Sequence, residues 1–399
     1  MAIFSMLASM ISTPRSYVRQ LFKSLHTLRC TEVQKISSTS PSPSSTQKDH
    51  RTEIIAQLRG QDIYVPDIHY IYSGWEANVH PDVSLLRQSL EDYFDKFIST
   101  ESVKKKQRRV DAALCAGYFW NHVPSDKFLV LGELVAWFFF WDDEIDCGTL
   151  TNDRDKTEAY CDDTLKFIRH CLQPDLGGDV PAPGRLHNCG PWINMGRAMQ
   201  EGQSKEARDR FAATIYEFVI AVRTSQATWA QGISTLDDYT ARRLRTVGTN
   251  PCVAVMQWAY GLTLPQSVWD HEDMVSITRE VAISDFLWND IVSLRKEIDD
   301  GDIDSTIPVI VWNEGCSAQV AVDRCVKLIE ESWKRLLEAE RRLLDAHTGE
   351  PERIRSDIKE LVGGCKDVLV GHMVYSLKIS RNMAAARMSE KDCSFRIVL

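Results

Sequence analysis

The sequence predicts an all-α protein. Apolar residues recur at intervals of three and four through most of the chain after residue 50, no convincing run of alternating strand residues interrupts them, and long irregular sequence is confined to one stretch. With 399 residues, 44% of them hydrophobic, the chain can bury a large core. The patterning continues without a shift in composition and without internal repeats, so one domain of on the order of ten or more helices is expected.

Residues 1–31 carry no Asp or Glu but include Arg15, Arg19, Lys23 and Arg29, and "SSTSPSPSST" follows. That composition suits either a disordered tail or a transit peptide for an organelle. Residues 1–50 are therefore expected to stand apart from a folded domain over 51–399, with the cytoplasm as location if no targeting operates. "SLLRQSLEDYFDKFIS" is the first clear amphipathic helix. The most apolar run, Phe128 to Trp141, contains Glu133 and covers 14 residues. A bilayer helix needs about 20, so this is a buried helix, with Ser125 placed to cap it. "QPDLGGDVPAPGRLHNCGPW", residues 173–192, predicts an exposed connector. Helical patterning then resumes in "RDRFAATIYEFVIAVRTSQATWAQG", "AVDRCVKLIEESWKRLLEAERRLLDAH" and "RSDIKELVGGCKDVLVGHMVYSLKISRNM", and Ser317 is placed to cap the second of these.

Charge and cysteine usage narrow the function. A net charge of -9 argues against nucleic acid as partner, although a small anion held through metal ions stays compatible. The 11 Cys residues are scattered, without a CxxC pair, which suits reduced core thiols better than disulfides or zinc.

The apolar run ends in "WDDEID". A buried carboxylate without a partner is costly, so the segment ends either at solvent or where a cation waits. Helical geometry puts Asp142 and Asp146 on one face, where two carboxylates can share a hard divalent ion. Alone, the motif is equally a solvated helix end. A second cluster, "NDIVSLRKE", places Asn289, Ser293 and Glu297 at i, i+4 and i+8, another stripe of oxygen donors. It too follows an apolar lead-in, "VAISDFLW". Two helices that each bury one end and present ligands at the other suggest an apolar cavity ringed by metal ligands.

Together these motifs resemble the two metal-binding signatures of class I terpene cyclases, particularly fungal and bacterial sesquiterpene synthases. "DYTARRLRTVGTNP" is similar to the family's diphosphate-sensing segment, and Arg243 stands 46 residues before Asn289, the family's usual spacing. "YSLKISRN" resembles the C-terminal WSxxxxRY pattern, with Tyr375 in place of Trp and Asn382 in place of the final Tyr. The likeness runs over roughly residues 60–385 and implies a single class I terpenoid synthase helical bundle with a central active-site cavity.

By the same resemblance, Asp142 would bridge two Mg²⁺ ions, Asp143 and Asp146 would act around them, and Asn289, Ser293 and Glu297 would hold a third. Arg243, Lys296 and Arg381 would donate to diphosphate. Phe138 and Phe139 match the family's cavity-lining aromatics by their offset before the acids, with Trp120, Trp288, Tyr375 and Tyr118 as weaker candidates. Without the likeness, Arg242, Arg243 and Arg245 could be a solvated basic face, and the aromatics ordinary core. His372 reads as structural. Residues 298–306 and the segment around Gly248 are expected closing elements.

The implied reaction is Mg²⁺-dependent ionisation of an allylic prenyl diphosphate, most readily farnesyl diphosphate, and cyclisation of the cation to a hydrocarbon or alcohol. Rival readings are a chain-elongating isoprenyl transferase, for which "DDGDID" at 299–304 would be the second acidic motif, and a noncatalytic helical scaffold. A homodimer is compatible with the sequence.

Overall fold

The computed structural model describes residues 45–146, 150, 153–177, 190–228, 232–379 and 383–399. The first described helix, α1 (Ser45–Leu58), straddles the boundary expected near residue 50. It leads into a short strand, β1 (Asp62–Val65), and then into α2 (Val83–Phe97), α3 (Glu101–Val110) and α4 (Ala112–Phe119). Helix α2 buries Leu86, Leu90, Tyr93 and Phe94, the apolar stripe of its three-and-four pattern.

Helix α5 (Ser125–Asp146) is the expected apolar helix. Ser125 is its first residue and not its cap, since the Ser125 hydroxyl donates to the Asp82 carboxylate instead. Among the described residues no helix is long and apolar enough to cross a membrane. Helices α6 (Arg154–Leu172), α7 (Gly190–Gly202) and α8 (Lys205–Thr228) follow, with α6 packed on both α7 and α8. Of the Pro- and Gly-rich connector, residues 178–189 lie outside the described set.

The chain then forms α9 (Leu236–Thr246), α10 (Thr249–Ala254) and two single turns, α11 (Met256–Ala259) and α12 (Gln266–Trp269). The break between α9 and α10 falls at Gly248, whose φ of 83° is a left-handed conformation that a residue with a Cβ resists.

Three long helices complete the bundle: α13 (Glu272–Asp300), α15 (Ala318–Ala346) and α16 (Glu352–Lys378), with the shorter α14 (Thr306–Glu314) between the first two. Helix α13 starts where His271 Nδ1 accepts the Asp273 amide and stops at Gly301, φ 77°, where the Asp302 amide bonds back to the Glu297 carbonyl at 2.7 Å. Ser317 caps α15 by accepting the Val320 amide. Helix α13 packs along both α15 and α16. Buried Glu280 ties it to α15, accepting from Ser332 Oγ and Arg335 at 2.8 Å each.

The strands were not expected. β1, β2 (Arg387–Met388) and β3 (Phe395–Val398) form an antiparallel sheet in the order β1-β3-β2, with Ile63 opposite Ile397. β1 and β3 do alternate, burying Ile63, Val65, Phe395 and Ile397. Four residues give too little periodicity to stand out, and the partner strand lies at the other end of the chain.

Helices α4 and α16 meet at Gly371, where an added Cβ would lie 2.8 Å from Tyr118 Cβ and 3.0 Å from its carbonyl oxygen. Backbone cannot yield as a side-chain tip can. Gly371→Ala should therefore cost about 1–3 kcal/mol, read as a lower midpoint of urea unfolding at unchanged slope.

Candidate active site

Seven helices line one cavity of about 180 Å³. Helix α4 contributes Cys115 and Phe119, α5 contributes Val135, Phe138, Phe139 and Asp142, and α8 contributes Phe218. The α9 to α10 break lays Arg243, Thr246, Val247, Gly248, Thr249 and Cys252 along the wall, α13 adds Asp285 and Asn289, and α16 adds His372. The aromatic run of α5 divides by helical angle. Phe138 and Phe139 line the cavity, while Phe140 and Trp141 are buried in core, Trp141 donating to Thr164 Oγ1 at 3.0 Å.

The acids at the end of α5 divide the same way. Asp142 lines the cavity. Asp143, one residue on, is held by Lys106 Nζ at 2.9 Å and Gln107 Nε2 at 3.2 Å, both from α3. The Asp146 side chain lies outside the described set.

On α13, Asn289 reaches the cavity, and Ser293 and Glu297, which are not among the residues lining it, follow along the helix: Ser293 Oγ lies 2.6 Å from both the Asn289 carbonyl oxygen and Glu297 Oε1. Burial pushes the Glu297 carboxyl up to about 8, and the nearby charges of Asp290 and Asp302 add to the rise. Its Oε2 is buried and forms no regular hydrogen bond among the described residues, with the Ser305 hydroxyl close enough to favour the charged form. An orphaned carboxylate oxygen in negative potential, beside a hydroxyl and an amide oxygen on one stripe, fits a hard divalent cation.

Three arginines competed for the diphosphate role, and the structure separates them. Arg242 is tied to Asp304 and to Ser234 Oγ, the latter at 3.1 Å, and Arg245 is exposed and pairs with Glu217 at 3.0 Å. Arg243 lines the cavity, its guanidinium 3.5 Å from Asn289 Oδ1 and 3.3 Å from Asp290 Oδ1. Removing it should be costly. Arg243→Ala is expected to lower turnover of a prenyl diphosphate by about 10²-fold, the loss typical of one donor to a developing anion, whereas Arg245→Ala should stay near wild type in the same assay.

Other expected site residues lie elsewhere. Lys296 lies two turns beyond Asn289 on much the same side of α13, but it pairs with Asp300 at 2.8 Å and is not among the residues lining the cavity. Trp120, Trp288 and Tyr375 are core and not wall. Trp120 packs behind Phe119 edge-on at 5.8 Å, Trp288 is covered by Phe395 of β3 at 6.3 Å, and the Tyr375 hydroxyl donates to the Val110 carbonyl. Tyr118 accepts from Lys378. Arg381 and Asn382 lie outside the described residues.

Among the residues that the sequence did not single out are four polar ones at or beside the site. Asp285 and Thr249 line the cavity, and so does His372, which had looked merely structural. Asp290 lies behind it, 1% exposed. The signal for Asp285 was present, since it extends the Asn289, Ser293, Glu297 stripe by one turn toward the N-terminus. None existed for His372, which comes from another helix.

Residues 133–335 match the family described as terpene synthase family 2, C-terminal metal binding, which is just over half of the 399-residue chain. The protein belongs to terpene synthase family 2. This terpene synthase is 27% identical to terpene cyclase braA of Annulohypoxylon truncatum over 90% of its own length and 96% of that protein's. It is 25% identical to sesquiterpene cyclase hepA of Aspergillus oryzae, over 83% and 92% of the two lengths. Its fold matches that of a hedycaryol synthase crystallised with HEPES, at a TM-score of 0.65 and 22% identity, covering 77% of this chain and 97% of the other. The all-α architecture and the terpene cyclase type expected from the motifs are thus those of its relatives, and metal binding is part of the family's description.

Proposed function

We propose that this terpene synthase ionises and cyclises farnesyl diphosphate to a sesquiterpene, releasing diphosphate, with Mg²⁺ held by Asp142 on one side and by Asn289, Ser293 and Glu297 on the other. The observation that carries this reading is that Asp142, Asn289 and Arg243, from three different helices, line one cavity with Phe119, Phe138, Phe139 and Phe218. Oxygen donors and a guanidinium suit the charged end of the substrate, and the aromatic wall suits its hydrocarbon chain. Bound Mg²⁺ would supply positive charge to the diphosphate as it leaves.

The protein's own groups do the rest. Arg243 donates to the departing oxygens, and Asp290 behind it fixes the guanidinium. Phe138 and Phe139 line the space the freed cation would occupy, where a ring face attracts it by about 2 kcal/mol or more once water is excluded. Thr246 to Thr249, at the Gly248 break, bring backbone to the cavity, where a shift on ligand binding would close it. We place Lys296 and Arg381 with the diphosphate only in the closed, ligand-bound form. We take the catalytic domain to begin with α1 at Ser45 and not at residue 51, with the enzyme working in the cytoplasm.

The transferase alternative loses support because the acids of "DDGDID" are already engaged. Asp299 pairs with Arg295 and Asp300 with Lys296, both at 2.8 Å, Asp302 accepts the Asp304 amide, and Asp304 pairs with Arg242.

Incubation with farnesyl diphosphate and Mg²⁺, followed by gas chromatography and mass spectrometry of the extract, should give a cyclic fifteen-carbon product. Chelation by EDTA should stop its formation, and Mg²⁺ should restore it. Absence of any cyclic terpenoid with ten-, fifteen- and twenty-carbon diphosphates would remove the proposal.

A further inference from the structure

Asp285 is an anomaly in the cavity wall. It is 5% exposed and lines the same space as Phe119 and Phe138. One oxygen is satisfied, since Thr249 Oγ1 donates to Oδ2 at 2.7 Å. The other, Oδ1, has no hydrogen-bond partner among the described residues, although His372 Nδ1 stands 3.4 Å away and is itself without one. A carboxylate kept only for packing would have both oxygens bonded, because an unsatisfied buried acceptor costs stability. The charge is felt nearby: burial and then Asp285 push the Cys252 thiol up.

Its position is informative. Asp285 lies one helical turn before Asn289, about 6 Å along the axis, on the side away from Glu297. Asn289 and Glu297 are partly exposed, whereas Asp285 is buried. In the pose proposed above, the carboxylate would therefore face the hydrocarbon part of the substrate and not its diphosphate.

We infer that Asp285 is the catalytic base that ends the cyclisation, so that the product is an olefin and not an alcohol; this rests on the terpene cyclase reading above. In the last step the C–H bond next to the cationic carbon breaks. Its electron pair becomes the second bond of a C=C, and the proton passes to Asp285 Oδ1. Thr249 and His372 are positioning residues that aim this oxygen. His372, the more exposed of the pair, is the route by which the proton leaves before the next turnover.

The test uses the full chain with farnesyl diphosphate and Mg²⁺, measuring diphosphate release and product distribution together. Asp285→Asn should keep diphosphate release within about threefold of wild type, because ionisation precedes the step removed. The share of the main wild-type olefin should fall about tenfold or more, replaced by isomers with the double bond elsewhere or by alcohols from captured water. Asp285→Glu, which keeps a carboxylate, should restore part of that share. Substrate deuterated at the carbon that loses the proton should shift the wild-type product ratio and leave that of Asp285→Asn unchanged. Should Asp285→Asn not fold, His372→Gln decides by the same readout, with a broadened product mixture expected.

An unchanged product mixture and isotope response in the folded variants, or a wild-type product that is an alcohol, would overturn the assignment. Failure of the wild type to release diphosphate would instead strike at the cyclase reading, and the inference would fall with it.

Discussion

Asp142→Asn should lower Mg²⁺-dependent diphosphate release by about 10²- to 10³-fold, the scale seen when one preorganised stabiliser of a developing charge is removed. The exchange keeps the shape of the side chain and removes its charge, so packing of α5 against its neighbours is retained. Asp142 is the acid at the end of α5 that lines the cavity, whereas Asp143 is occupied by Lys106 and Gln107. The unfolding midpoint, measured on the same preparation, separates a lost ligand from a lost fold. Glu297→Gln makes the companion measurement. Activity should fall on the same scale, yet stability without metal should not, because burial and the charges of Asp290 and Asp302 already oppose ionisation there. Wild-type rates in both variants at limiting Mg²⁺ would leave the metal site without support.

The largest stability effect is expected at Asp290. Its carboxylate accepts from Tyr239 Oη at 2.6 Å, from the Thr306 amide at 2.9 Å and from the Thr306 hydroxyl, and it pairs with Arg243 at 3.3 Å. It therefore ties α13 to α9 and to the start of α14. Asp290→Ala leaves these donors and a partly buried guanidinium without their acceptor, and should cost about 3–5 kcal/mol. Urea unfolding in metal-free buffer would read this directly. Asp290→Asn, which retains an acceptor oxygen, should cost less than the alanine exchange while still loosening Arg243 and slowing turnover. Equal midpoints for wild type and Asp290→Ala would show that the network carries no stability.

Local pattern accounts for what was legible in the chain. The stripe Asn289, Ser293, Glu297 and the apolar lead-in to Asp142 depend only on helical periodicity, which a helix of ordinary geometry must obey. Arg243 was picked out by spacing in a resemblance, and the structure brings it into contact with Asn289 and Asp290 while turning Arg242 and Arg245 elsewhere. The same reading failed for Trp120, Trp288 and Tyr375, because whether a buried ring faces a cavity or another helix depends on neighbours far away in sequence. Phe395, which covers Trp288, is 107 residues distant and belongs to a strand too short to recognise.

The sequence by itself determined the helices, the two sets of oxygen donors and the apolar stretches that precede them, since each rests on contacts within a few turns of one chain segment. Only the tertiary structure decided that Asp142, Arg243 and Asn289 share a cavity, that Asp143 and Lys296 are engaged elsewhere, and that Asp285 meets His372. Those facts depend on how seven helices cross. Packing sets that crossing through side-chain volume and close approaches such as Gly371 against Tyr118, which no periodicity along the chain encodes.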